Sequence, residues 1–189
     1  MSQQEILTRV VDALEASGTP YMLTGSLVSS LQGEPRATHD IDFVLVAGPT
    51  SAAALFAALT SVGGYLDRAS IERAIERQSV FNLIDPDTGL KVDFWMLTND
   101  PFDRSRWQRR QQESVLGRQI WVSSPEDTIL AKLRWARLAG GSEKHVTDAV
   151  RVYEVQHAKL DRQYLDRWVA TLEVDDLWHQ LLSTAAPID

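Results

Sequence analysis

Tyr21-Met22-Leu23-Thr24-Gly25-Ser26 and Asp40-Ile41-Asp42-Phe43-Val44-Leu45, separated by thirteen residues, decide how this chain is read. Pro20 to Thr24 reads as a short buried strand. It breaks at Gly25-Ser26 into a helix reaching about Gln32. Asp40 to Val46 reads as a second strand. Its alternation puts Asp40 and Asp42 on one face and Ile41, Phe43 and Leu45 on the other. The first N–H groups of a helix have no internal partner and bind phosphate well. Glycine permits close approach, and the Ser26 hydroxyl adds one donor. Carboxylates at i and i+2 on a strand point the same way and can share a cation that seeks hard oxygen. A phosphate cradle with a carboxylate pair points to metal-assisted phosphoryl or nucleotidyl transfer.

A third carboxylate follows. Ser79 to Ile84 and Leu90 to Leu97 read as two strands joined by the turn sequence Asp85-Pro86-Asp87-Thr88-Gly89. Within the second, Leu90-Lys91-Val92-Asp93-Phe94-Trp95 sets Asp93 among apolar neighbours. An unpaired carboxylate in a strand interior is expensive. Asp93 is therefore either a metal ligand or an ion-pair partner, with Arg36 the candidate cation. Asp85 and Asp87 belong to the turn.

The remaining punctuation is local. Ser2 and Glu5 form a capping box for a helix over about 3–17, which Gly18 stops. Helices are expected over about 50–62 and 68–77, and a hairpin across Gly117. Ser124-Pro125 is an N-cap followed by proline at the first helical position, and Gly140-Gly141 ends that helix. Further helices fit 142–156, 161–172 and 174–184. The front two-thirds is thus mixed and the last third helical, an α+β chain. The expected division is 1–123, the mixed core, and 124–189, a helical subdomain, with one domain overall as the alternative.

Composition narrows the classes. The chain has 189 residues and no cysteine, which excludes a disulfide scaffold, a Cys-based zinc site and a Cys nucleophile. Its net charge of -7 makes it a poor nucleic-acid coat protein. The acidic, amphipathic start is not a signal peptide. No apolar run approaches the ~18 residues of a membrane span. The expectation is a cytoplasmic protein with no membrane partner.

Gly-Ser, a spacer and Asp-h-Asp-h, where h is apolar, resembles the signature of the DNA polymerase β-like nucleotidyltransferase superfamily. The later strand carrying Asp93 resembles that family's third-carboxylate element. Arg36-Ala37-Thr38-His39-Asp40-Ile41-Asp42 is similar to the corresponding element of AbiEii/MenT-like toxin nucleotidyltransferases. Ser124-Pro125-Glu126-Asp127 with Lys132 and then Asp148 is similar to a later pattern of that group. The resemblance implies a polymerase β-like fold, a small mixed sheet flanked by helices with a C-terminal helical region, in a short stand-alone member. It implies that Asp40, Asp42 and Asp93 are catalytic and hold two Mg²⁺ ions, Mn²⁺ being an alternative. It implies that Gly25, Ser26, Arg36, Thr38, Lys132 and Asp148 serve an NTP such as ATP. A toxin-antitoxin role would add a cognate antitoxin as partner.

Several residues keep bland readings. Lys132 shares a helix with Ile129, Leu130 and Leu133, so it is either a phosphate contact or a snorkelling lysine. Asp148 either orients Lys132 or faces solvent. Arg104, Arg106, Trp107, Arg109 and Arg110 form a basic stretch with an aromatic, which suits a polyanionic acceptor; a solvated edge is the alternative. The acceptor hydroxyl stays open between a tRNA end, a partner protein and a small molecule such as an aminoglycoside. A non-catalytic nucleotide-binding or interaction protein on the same fold is the rival class.

Overall fold

The structure, a computed structural model, describes residues 1–188. Among these residues the elements follow as α1 (Gln3–Ala16), β1 (Tyr21–Thr24), α2 (Gly25–Gln32), β2 (Asp40–Leu45), α3 (Ala52–Thr60), β3 (Tyr65–Leu66), α4 (Arg68–Arg77), β4 (Val80–Ile84), β5 (Lys91–Met96), α5 (Pro101–Gln108), β6 (Gln111–Val115), β7 (Arg118–Val122), α6 (Pro125–Leu138), α7 (Glu143–Gln156), α8 (Arg162–Thr171) and α9 (Asp175–Thr184). The expected α+β class holds. No helix among the described residues is long and apolar enough to cross a membrane.

The chain forms two compact units. One comprises Met1–Thr24 with Thr38–Val122, the other Gly25–Ala37 with the residues from Ser123 on. The seam at Val122 and Ser123 falls where the composition turns helical, and α2 belongs with the C-terminal helices.

The first unit holds a seven-stranded mixed sheet in the order β3-β4-β5-β2-β1-β7-β6. β2 runs parallel to β5 and β1 parallel to β7, and the remaining neighbours are antiparallel. One sheet face is apolar. Phe43 stacks on Phe94 at 5.8 Å, and Phe81 on Phe94 at 4.8 Å. Each fully buried aromatic of this kind stabilises by roughly 1.5–3 kcal/mol relative to exposure. Ser2 accepts from the Glu5 amide and the Glu5 side chain accepts from the Ser2 amide, so the expected capping box forms. It fixes α1, whose Ile6, Leu7, Val10, Val11 and Leu14 are buried. The β6–β7 hairpin turns through Leu116 and Gly117, both with positive φ, as a two-residue hairpin turn requires.

The second unit is all helical. Val28 of α2, Ile129, Leu130 and Leu133 of α6, Val152 of α7, Leu165 of α8 and Leu181 of α9 are fully buried. Gly33, just past α2, explains how closely that helix approaches α7. A Cβ there would lie 2.8 Å from the backbone of Arg151 and Val152.

Candidate active site

Strand parity builds a carboxylate face in the first unit. β2 and β5 pair with Asp40 opposite Lys91 and Asp42 opposite Asp93. Paired residues of parallel strands share a face, so the three carboxylates and Lys91 all lie on one side of the sheet. Phe43 and Phe94, one residue on, line the other. β4 adds Asn82 opposite Asp93, and β1 ends with Thr24 opposite Asp42. The expectation that Asp40 and Asp42 share a face is met, and the register sets Asp93 on that face as well.

Asp93 is only 7% exposed, and both its oxygens are engaged. Lys91 Nζ lies 2.8 Å from Oδ2, and the Asn82 amide donates to Oδ1. Its cation is therefore Lys91, whereas Arg36 pairs with Asp148. The hydrogen bond to Asp93 raises the Lys91 pKa. Burial opposes this, and the charges of Asp93, Asp40 and Asp42 reinforce it. Asp42 is half-buried, with Trp95 Nε1 at 3.5 Å from its Oδ1, and Asp40 is exposed. Three carboxylates are the hard oxygen donors that Mg²⁺ and Mn²⁺ take, so the donor set fits such ions in kind. Among the described residues, no three His, Cys, Asp or Glu side chains are gathered tightly enough to enclose an ion. Lys91 places its positive charge beside Asp93.

The second unit brings together Ser26, Arg36, Lys132 and Asp148, whereas Thr38 lies in the first. β1 gives way to α2 at Gly25, whose φ of +73° is open to glycine without a Cβ clash. Ser26 Oγ accepts from Arg36 Nη2 and Lys132 Nζ, each at 3.0 Å. Asp148 receives Arg36 Nε at 2.6 Å, Arg36 Nη2 at 2.7 Å and Lys132 Nζ at 2.6 Å. Burial alone would push the Asp148 carboxyl up, but these bonds and charges outweigh it and hold its pKa below the usual value. Lys132 and Asp148 are both buried. Neither is a snorkelling or solvent-facing side chain, and Asp148 does orient Lys132.

Solved structures resemble this fold. ANT(2″)-Ia in complex with adenylyl-2″-tobramycin aligns with TM-score 0.61 at 13% identity, over 91% of this chain and 98% of that one. A nucleotidyltransferase-like antigen of Paracoccidioides brasiliensis aligns with TM-score 0.54 at 16% identity, over 100% and 96%. The lincosamide adenylyltransferase LnuA, lincomycin-bound, gives TM-score 0.55 at 13% identity, over 82% and 98%. This is the nucleotidyltransferase fold. No protein-family model matches the sequence, and no curated protein does. The likeness is to the nucleotidyltransferase fold at large and does not single out the AbiEii/MenT-like group.

On that fold the remaining candidates have local roles. Arg110 lies between two indoles, 4.1 Å from the Trp107 ring and 4.9 Å from Trp121, and donates to the Trp107 carbonyl at 2.7 Å. Arg106 pairs with Asp103 at 3.1 Å, and Arg104 reaches Asn99 Oδ1 at 3.3 Å. Arg109 caps α5 through its backbone amide. Thr38 is anchored by its carbonyl, which accepts from Gln3 Nε2 at 2.8 Å. Glu126 and Asp127 tie α6 to α8. Asp127 Oδ1 accepts from the Tyr164 hydroxyl at 2.6 Å, and Glu126 Oε1 from the Asp161 amide at 2.9 Å. Asp85 stays in its turn, accepting from the Thr88 hydroxyl at 2.7 Å.

Sequence reasoning missed Lys91 and Asn82 as members of the carboxylate face. A signal for both existed. Lys91 is two residues before Asp93 on one strand, and Asn82 is where the Asp85–Gly89 turn folds β4 back onto Asp93.

Proposed function

We propose that this protein is a divalent-metal-dependent nucleotidyltransferase, moving an NMP group from an NTP to an acceptor hydroxyl. The observation that carries the reading is the β2–β5 register, which sets Asp42 directly opposite Asp93 with Asp40 on the same face. Asp40, Asp42 and Asp93 would hold the ions. Such ions, when bound, neutralise triphosphate charge and lower the pKa of an attacking hydroxyl. Asp93 is the residue to accept the acceptor proton, because burial and the Asn82 contact fix its carboxylate in one orientation. In the helical unit, Ser26, Arg36 and Lys132 supply a hydroxyl and two cations, suited to phosphate oxygens. Asp148 positions those two cations and prevents their mutual repulsion.

Of the acceptors left open by the sequence, a small molecule is favoured over a tRNA end. Arg104, Arg106 and Arg110 are engaged within their own segment, and the net charge of -7 repels a polyanion. The antibiotic adenylyltransferases ANT(2″)-Ia and LnuA add support from proteins of the same fold. The test offers each labelled NTP with Mg²⁺ or Mn²⁺ to total RNA, protein extract and a panel of hydroxylated small molecules. Label in the small-molecule fraction is the expected result. Label in tRNA would restore the toxin reading, and label in no fraction with any NTP would contradict transfer.

A further inference from the structure

We propose that Lys91 is a built-in counter-cation of the carboxylate face, competing with a divalent ion for Asp93. This rests on the reading of that face as a metal site. Lys91 lies opposite Asp40 in the β2–β5 register and two residues before Asp93 on the same face. Its ammonium sits 2.8 Å from Asp93 Oδ2, and it feels Asp40 and Asp42 as well. With Asn82 on Oδ1, both Asp93 oxygens have a partner, and a cation approaching Oδ2 meets the Lys91 ammonium already there.

The geometry makes release of Lys91 easy. The Lys91 side chain is 41% exposed while that of Asp93 is 11% exposed. The lysine can swing its head into water on its flexible stem, whereas the aspartate is held in the sheet. Water solvates the ammonium once it leaves, and an arriving cation would neutralise the buried Asp93 in its place, so neither charge is left uncompensated. The device would keep three like charges from facing one another when no ion is present. It would also lower the apparent affinity for the ion, since ion and ammonium repel each other at Oδ2 and each weakens the other's hold.

The test measures Mn²⁺ binding directly, by titration calorimetry and by the electron paramagnetic resonance signal of free Mn²⁺, without nucleotide or turnover. The variants are Lys91→Met, which keeps most of the stem and removes the charge, Lys91→Arg, which keeps the charge, and Asp42→Asn. Melting temperatures check that each is folded. Lys91→Met should bind Mn²⁺ about tenfold more tightly than the natural chain, Lys91→Arg about equally, and Asp42→Asn far more weakly. If Asp42→Asn weakens binding but Lys91→Met does not tighten it, the role of Lys91 is overturned and the metal site stands. If neither the natural chain nor Lys91→Met binds Mn²⁺, both are overturned.

Discussion

Asp42 and Asp93 lie directly opposite each other on neighbouring parallel strands, on the sheet face away from the Phe43–Phe94 stack. One residue of slip in either strand would send one carboxylate into that apolar core. The phenylalanines therefore fix which side chains share the polar face. The register that buries Phe43, Phe81 and Phe94 is the register that gathers Asp40, Asp42, Asp93 and Lys91.

The Asp148 cluster predicts both a mutational and a pH effect. Asp148→Ala leaves Arg36 and the buried Lys132 without their shared acceptor and should cost about 3–5 kcal/mol in denaturant unfolding. The folded Asp148 pKa lies below its ordinary 3.8, so the folded state binds this proton less readily than the unfolded chain. Its contribution is fully present above that value and is lost as pH falls through the folded pKa. Urea midpoints followed from pH 7 to 2.5 should show a steeper acid limb in the natural chain than in Asp148→Asn. Parallel limbs would contradict the assignment.

Gly33→Ala should destabilise the helical unit by about 1–3 kcal/mol, because backbone cannot yield as a side chain can. Its new Cβ would meet the Arg151 and Val152 backbone at 2.8 Å. Gly48→Ala is the control. A Cβ there meets nothing within 4 Å, and its φ of -113° suits alanine, so the change should stay within about 0.5 kcal/mol. Thermal melts of both variants make the comparison.

Arg110→Ala should act on stability, not on RNA. Removing a guanidinium held between Trp107 and Trp121 should cost roughly 0.5–2 kcal/mol. The salt dependence of any RNA binding should be unchanged, since no phosphate contact is lost. A flattened salt slope at unchanged stability would return Arg110 to the acceptor side.

Much of the fold was legible because its signals are local. Ser2 with Glu5, Ser124 with Pro125, and the period-2 alternation of Asp40 to Leu45 each specify a backbone state within a few residues. The first two fix the helix starts seen in the structure, and the alternation fixes the strand. The two-residue strand Tyr65–Leu66 has no period of its own and exists through pairing with Leu83 and Ile84. The short helix α5 buries only Phe102 and so carries no apolar stripe, which leaves Asp100 as N-cap and Pro101 as its only local signals. Ion-pair partners were the least legible. Arg36 and Asp148 are 112 positions apart, and no spacing rule links them. Only the packing of α2 against α7 does.

The central claim is that the carboxylate face transfers nucleotides. Its most direct measurement is label transfer from an α-labelled NTP, with pyrophosphate release, by the natural chain and by Asp42→Asn at matched melting temperatures. The natural chain should transfer label in a Mn²⁺- or Mg²⁺-dependent way, and Asp42→Asn about a hundredfold or more slowly. Equal transfer by the two proteins would contradict the claim.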